Sequence, residues 1–250
     1  MNQDTAKDKL IVILGATATG KSALALQLAE QLDTEIISAD SMMVYKRFNI
    51  GTAKPSTSEL ARVKHHLVDI LEPYEKYSVA DFQTAAVKLI ADLNKCGKIP
   101  IVAGGTGLYI QALVEGYKFN AADDVGANGK INKSLRSVFN ESGELVYNVE
   151  IIGLTMERQM LYNRINLRTQ KMFDDGLVDE VQMLLKSGVD RNAQAMLGIG
   201  YKETIEYIDG NLTLDETISK ISQATRNFAK RQLTWYRRMH YINWYDVIGS

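Results

Sequence analysis

An α/β fold is what this sequence predicts: a parallel sheet flanked by helices, with a helical region at its C-terminal end. Three observations predict it. Short continuous apolar runs rich in β-branched residues recur along the chain, and this is how strands buried on both faces read. The early runs lead through loops into segments whose apolar residues have helical spacing, and that alternation builds a parallel sheet. Residues with ligand-binding character fall just beyond the C-terminal ends of the runs, where open parallel sheets bind their ligands.

The first run, Leu10-Ile11-Val12-Ile13-Leu14, enters the loop Gly15-Ala16-Thr17-Ala18-Thr19-Gly20-Lys21-Ser22. From Lys21 to Leu32 the apolar residues Leu24, Ala25, Leu28, Ala29 and Leu32 repeat at helical spacing. This order of strand, loop and helix makes the core P-loop NTPase-like. A second run, Glu35 to Ala39, delivers Asp40, and a third, Ile99 to Ala103, delivers Gly104-Gly105-Thr106-Gly107 ahead of another helix. Between them Ser78 caps a helix running to about Asn94, and Asp81 completes a capping box. From Asn120 to Tyr147, with Asp123, Asp124, Gly126 and Gly129, no apolar period is visible, which predicts a loop or a reduced insertion. Val149 to Leu154 is a further strand, helices are expected over Glu157–Phe173 and Leu177–Lys186, and Tyr241 to Tyr245 is a final strand. The expected organisation is residues 1–118 as the first part of the core, 119–148 as a shortened insertion, and 149–250 as the rest of the core with its helical region.

A net charge of −1 over 250 residues lacks the basic field of a dedicated nucleic-acid binder, so any such contact must rest on a local patch. Cys96 is the single cysteine, which excludes an internal disulfide and an all-cysteine zinc site and suits a reducing compartment; it reads as a helix-end residue. The polar stretch Met1 to Lys9 and the short run after it match neither a signal peptide nor a membrane span. A cytoplasmic, monomeric protein with no membrane contact is expected.

In a P-loop the backbone folds tightly enough to aim N–H groups at phosphate oxygens, and the following helix adds its positive end. Lys21 supplies a mobile charge, and the Ser22 hydroxyl is placed to coordinate Mg²⁺. Asp40 is either a turn residue or, at a strand end facing the P-loop, a metal-binding carboxylate or general base. Gly104 to Gly107 is either turn chemistry or a rim of backbone donors with the Thr106 hydroxyl. Arg164 and Arg168, one helical turn apart, read on spacing alone as a solvated face. His65 and His66 lack further ligands for a zinc site and read as structural or rim residues. The scattered methionines read as core fillers. Around Ser219 to His240, Lys220, Arg226, Lys230, Arg231, Arg237 and Arg238 alternate with Phe228, Trp235 and Tyr236, either a solvated face or a surface for phosphates and bases.

In chain order these segments resemble the tRNA dimethylallyltransferase family. The motifs that carry the resemblance are Gly15 to Ser22, Ile36 to Met42, Val44-Tyr45-Lys46, Ile50 to Pro55, His65 to Ile70, Tyr77 to Phe82, Gly104 to Tyr109, Arg164 to Arg168, Gly198 to Lys202 and Ala229 to Trp235. The resemblance implies transfer of a dimethylallyl group from dimethylallyl diphosphate to N6 of the adenosine 3′-adjacent to a tRNA anticodon, with Mg²⁺. It implies Asp40 as general base, Thr106 near the reacting amine and diphosphate, and Arg168 as a diphosphate-binding residue. It also implies tRNA contacts from Asp40-Ser41-Met42-Met43 and from Leu197-Gly198-Ile199-Gly200-Tyr201-Lys202. The family carries a helical insertion with a His-Pro-Asn-Asp element and an arginine-rich helix. Here only Asn120 to Asn148 occupies that interval, without such an element, so a weaker grip on the anticodon stem-loop is expected. The alternative function is a P-loop kinase of small molecules or nucleotides, with ATP in the loop and Asp40 as base or metal ligand. A non-catalytic RNA adaptor is a third.

Overall fold

In the computed structural model, residues 7–119 and 144–247 are described. Six strands form one sheet in the order β3-β2-β4-β1-β5-β6, every neighbouring pair parallel. They are β1 (Lys9–Gly15), β2 (Ile36–Ser38), β3 (His65–His66), β4 (Ile101–Ala103), β5 (Asn148–Thr155) and β6 (Asn243–Asp246). The helices are α1 (Lys21–Gln31), α2 (Thr57–Arg62), α3 (Val79–Lys95), α4 (Gly107–Val114), α5 (Arg158–Asp174), α6 (Leu177–Lys186), α7 (Tyr201–Ile208) and α8 (Leu214–Tyr236), with a 3₁₀ turn at Gln194–Leu197.

The two-residue period of a strand explains how the apolar runs serve both faces. Leu10, Val12 and Leu14 join Ile37 and Val102 in the larger core with α3, α4 and α6, whereas Ile13 joins Ile36 and Ile101 beneath α1. Both faces are therefore covered, as an all-parallel sheet requires. Because the strands run the same way, Gly15, Ser38 and Ala103 end on one edge of the sheet. β1 lies between β4 and β5, and the chain leaves it toward β2 on one side and later returns to β5 on the other.

Ser78 caps α3 and Asp81 closes the capping box, as its sequence predicts, and Cys96 is the helix C-cap. Three details add to or differ from the expected elements. His65 and His66 form edge strand β3, His66 Nε2 lying 2.6 Å from Glu35 Oε2, so their role is structural. Two histidines after Lys64 give no continuous apolar run and so no strand signal. The basic helix α8 starts earlier and ends at Tyr236, leaving Arg237, Arg238 and His240 beyond it, and β6 begins at Asn243 rather than Tyr241. Of the interval expected to be a reduced insertion, residues 120–143, including Asp123, Asp124, Gly126 and Gly129, lie outside the described residues.

Candidate active site

A cavity of about 750 Å³ opens over the C-terminal edge of the sheet. The P-loop forms its floor. Gly15, at φ 149°, ends β1 so close to β5 that a Cβ there would lie 2.5 Å from the Leu154 carbonyl oxygen. Gly20, at φ 97°, turns the chain into α1. Buried Thr19 donates its hydroxyl to Ala16 O at 2.8 Å and fixes the curve from behind. Gly15, Ala16 and Thr19 are thus supports, while Thr17, Ala18, Gly20, Lys21 and Ser22 face the cavity.

Lys21 donates to Ala16 O at 2.8 Å. Burial, and then the Arg168 guanidinium, lower its pKa to about 8, with Asp40 opposing them. Arg168 is not on a solvated face: its Nη2 reaches the Thr17 hydroxyl at 2.7 Å, and burial lowers its pKa against the pull of Asp40. Arg164, one turn away, remains exposed at the cavity wall.

Asp40 sits two residues beyond β2. Its Oδ1 accepts from the N–H of Met42 at 2.8 Å and of Met43 at 3.4 Å, which orients the carboxylate. No protein donor among the described residues reaches Oδ2, and Asp40 lines the cavity. The Thr106 hydroxyl accepts from Ser41 N–H at 3.2 Å, tying the rim of β4 to the Asp40 turn. Two of the backbone donors at Gly104 to Gly107 are spent inside the sheet: Gly104 N–H is given to Ile13 O and Thr106 N–H to Ala39 O. The backbones are packed closely here, since a Cβ on Gly104 would lie 2.2 Å from Ala39 O.

Ser41, Met42 and Met43 line the cavity, so these two methionines are not core fillers. Leu197, Gly198, Ile199, Tyr201 and Lys202 line the cavity next to them, a Cβ on Gly198 lying 2.6 Å from Met42 Cε, while Gly200, at φ 100°, turns the chain into α7 and does not. Tyr201 is 1% exposed, and its hydroxyl points away to Glu180 Oε1 at 2.7 Å. Of the basic residues on and after α8, Lys220 pairs with Glu206 at 2.6 Å and Arg226 bonds Asn166 at 2.6 Å. Arg231 lines the cavity with Phe228, its guanidinium 5.7 Å from that ring.

Two side chains escape a reading by motif and spacing. Gln232, 5% exposed, accepts from Thr17 N–H and donates to Gly105 O, both at 2.8 Å. Its signal was available: it falls in the buried stripe Ile221, Thr225, Ala229, Gln232 and Tyr236, where an amide must have partners. Glu180, also 5% exposed, accepts from the backbone N–H groups of Asn49, Ile50 and Gly51 and from Tyr201.

The family model described as IPP transferase matches residues 43–146 and 128–239. The tRNA dimethylallyltransferase of Anoxybacillus flavithermus is 41% identical over 96% of this chain and 91% of its own length. That of Carboxydothermus hydrogenoformans is 42% identical over 96% and 92%. The alignment with the first runs over 283 positions, so gaps fall in this chain of 250 residues. The tRNA isopentenylpyrophosphate transferase structure from Bacillus halodurans superposes with a TM-score of 0.82 at 39% identity, covering 96% of this chain and 90% of that one. A eukaryotic dimethylallyltransferase acting on tRNA superposes with a TM-score of 0.81 at 25% identity, covering 96% and 74%.

Proposed function

The chain belongs to the IPP transferase family, and from that membership and the cavity we propose that it transfers a dimethylallyl group from dimethylallyl diphosphate to N6 of the adenosine 3′-adjacent to the anticodon of tRNA, releasing diphosphate. The observation that carries the reading is one cavity holding both a cationic phosphate grip and a carboxylate with a spare oxygen. Lys21 and Arg168 meet at the P-loop, and Asp40 lies close enough to influence the charge of both.

In the reaction the allylic C–O bond breaks as the N6 lone pair attacks the allylic carbon. Its electron pair leaves on the diphosphate oxygen, where P-loop amides, Lys21 and Arg168 stabilise the growing charge. Adenine N6 is a poor nucleophile because its lone pair is delocalised, so loss of its proton to Asp40 Oδ2 assists attack. Thr106, tied to Ser41, holds the Asp40 turn beside the rim. The target base must leave its stack to reach this depth. Leu197 is 53% exposed beside it, and Phe228, Arg231, Arg164 and Lys202 offer a ring and cations to the RNA.

Mg²⁺ suits this site. Ser22 presents its hydroxyl to the cavity beside Lys21, where it would hold an ion whose remaining oxygens come from the substrate phosphates and water. Bound there, it would neutralise charge on the departing diphosphate. No helix among the described residues is long and apolar enough to cross a membrane, and we place the protein in the cytoplasm as a monomer.

The test is incubation with labelled dimethylallyl diphosphate, Mg²⁺ and unmodified tRNA, beside an ATP-hydrolysis assay. Label in tRNA at the adenosine is expected. Substrate-stimulated ATP turnover without label would replace the reading with a kinase, and tRNA binding without either turnover would replace it with an RNA adaptor.

A further inference from the structure

We propose that Gln232 is a positioning residue for the diphosphate grip, setting the P-loop against the β4 rim from helix α8. The inference rests on the prenyl-transfer reading and goes beyond it, because nothing in that chemistry requires a glutamine.

Thr17 is held at two points: its N–H by Gln232 Oε1 at 2.8 Å and its hydroxyl by Arg168 Nη2 at 2.7 Å. The other end of the Gln232 amide donates to Gly105 O at 2.8 Å. These partners fix the amide orientation, since a backbone N–H can only donate and a carbonyl can only accept. One planar group thereby spaces the P-loop from the Gly104–Gly107 rim, and its own helix carries Phe228 and Arg231 into the same cavity. Gly105 is shaped to this contact: a Cβ there would lie 2.5 Å from Gln232 Nε2, with no other atom but Gln232 Cδ within 4 Å. Without the clip, the hydroxyl-to-guanidinium bond would be the remaining side-chain restraint on Thr17, and Arg168 would have to hold the loop while also meeting the phosphate.

The experiment compares wild type, Gln232→Met, Gly105→Ala and the double variant. Methionine keeps the volume and loses both bonds; alanine crowds the same amide from the opposite side. Binding of inorganic pyrophosphate is measured by calorimetry, and KM and kcat are measured for dimethylallyl diphosphate and for tRNA. A roughly tenfold weaker pyrophosphate affinity and a similar rise in KM for the diphosphate are expected for Gln232→Met. KM for tRNA should stay within about twofold, and the double variant should be little worse than Gln232→Met, because both lesions break one clip.

Unchanged pyrophosphate binding and KM in Gln232→Met overturn the proposal, as do losses that add in full in the double variant. A lowered melting temperature with unaltered KM and kcat also overturns it, by making Gln232 a packing residue only. If wild type itself neither binds pyrophosphate nor transfers the prenyl group, it is the underlying reading that fails.

Discussion

Asp40 and Glu180 are both acids that accept backbone N–H groups, yet one stands over the cavity and the other is sealed behind it. Glu180 spends both oxygens: Oε2 takes Asn49 and Ile50, and Oε1 takes Gly51 and the Tyr201 hydroxyl. Its carboxyl group is the fixed acceptor around which the 49–51 turn closes, and Tyr201 fits because Gly51 has no Cβ to meet its ring. Asp40 spends only Oδ1, enough to be aimed, and keeps Oδ2 for a substrate. The difference is one of unspent hydrogen-bonding capacity: a carboxylate whose lone pairs are taken builds the wall of a site, and one with a spare oxygen can do its chemistry.

The largest effect that would break this comparison is at Asp40. Asn in its place keeps an oxygen for Met42 and Met43 but cannot take a proton, so kcat should fall about 10²–10⁴-fold, with folding stability within about 1 kcal/mol of wild type. Single-turnover prenylation and urea unfolding read the two quantities separately. A rate near that of wild type would leave Asp40 as a turn residue.

Glu180→Gln should show the reverse. The amide NH₂ must face backbone N–H donors from which it cannot accept, so stability should fall by about 2–3 kcal/mol in urea, while kcat of the folded protein changes far less than in Asp40→Asn. Loss of kcat with stability intact would move Glu180 into the chemistry and erase the distinction.

Lys21 sharpens the contrast because burial acts on it inside the reactive region. Its pKa of about 8 means that kcat/KM for dimethylallyl diphosphate, which reports the free protein, should fall about tenfold per pH unit above that value. The stability effect has the opposite sign. Between about 8 and its ordinary 10.5 the unfolded chain holds the proton that the folded chain has released, so Lys21's contribution to stability rises with pH. Below that window both states are charged and the burial penalty is present in full. Lys21→Arg, charged throughout, should remove the alkaline limb from the pH profile.

The same contrast explains what the sequence discloses. β1, β2, β4 and β5 are legible because an all-parallel sheet needs continuous apolar strands, and Asp40 is legible because its place after β2 puts it on the ligand-binding edge. Glu180 carries only a faint local signal, an acid among the buried Leu177, Val181 and Leu184 of α6, and the backbone groups it serves lie about 130 residues earlier. Arg168 cannot be told from Arg164 by helical spacing, since what turns it inward is Thr17, 151 residues away. Local pattern finds elements and strand-end motifs; partners brought together by topology stay hidden until the sheet is assembled.

The smallest expected effect tests where the wall ends and the reactive region begins. Tyr201 belongs to the strip expected to touch RNA, yet its hydroxyl serves Glu180 and its ring packs 4.7 Å from that of Phe48, centroid to centroid. Tyr201→Phe removes one of four donors to the carboxylate and leaves the ring against Gly51. Stability should fall by about 1 kcal/mol, and KM for tRNA and for the diphosphate should each change less than about twofold. A tenfold rise in KM for tRNA with unfolding unchanged would show that the hydroxyl turns toward the RNA when it binds, and the boundary between the two acids would then run through Tyr201 itself.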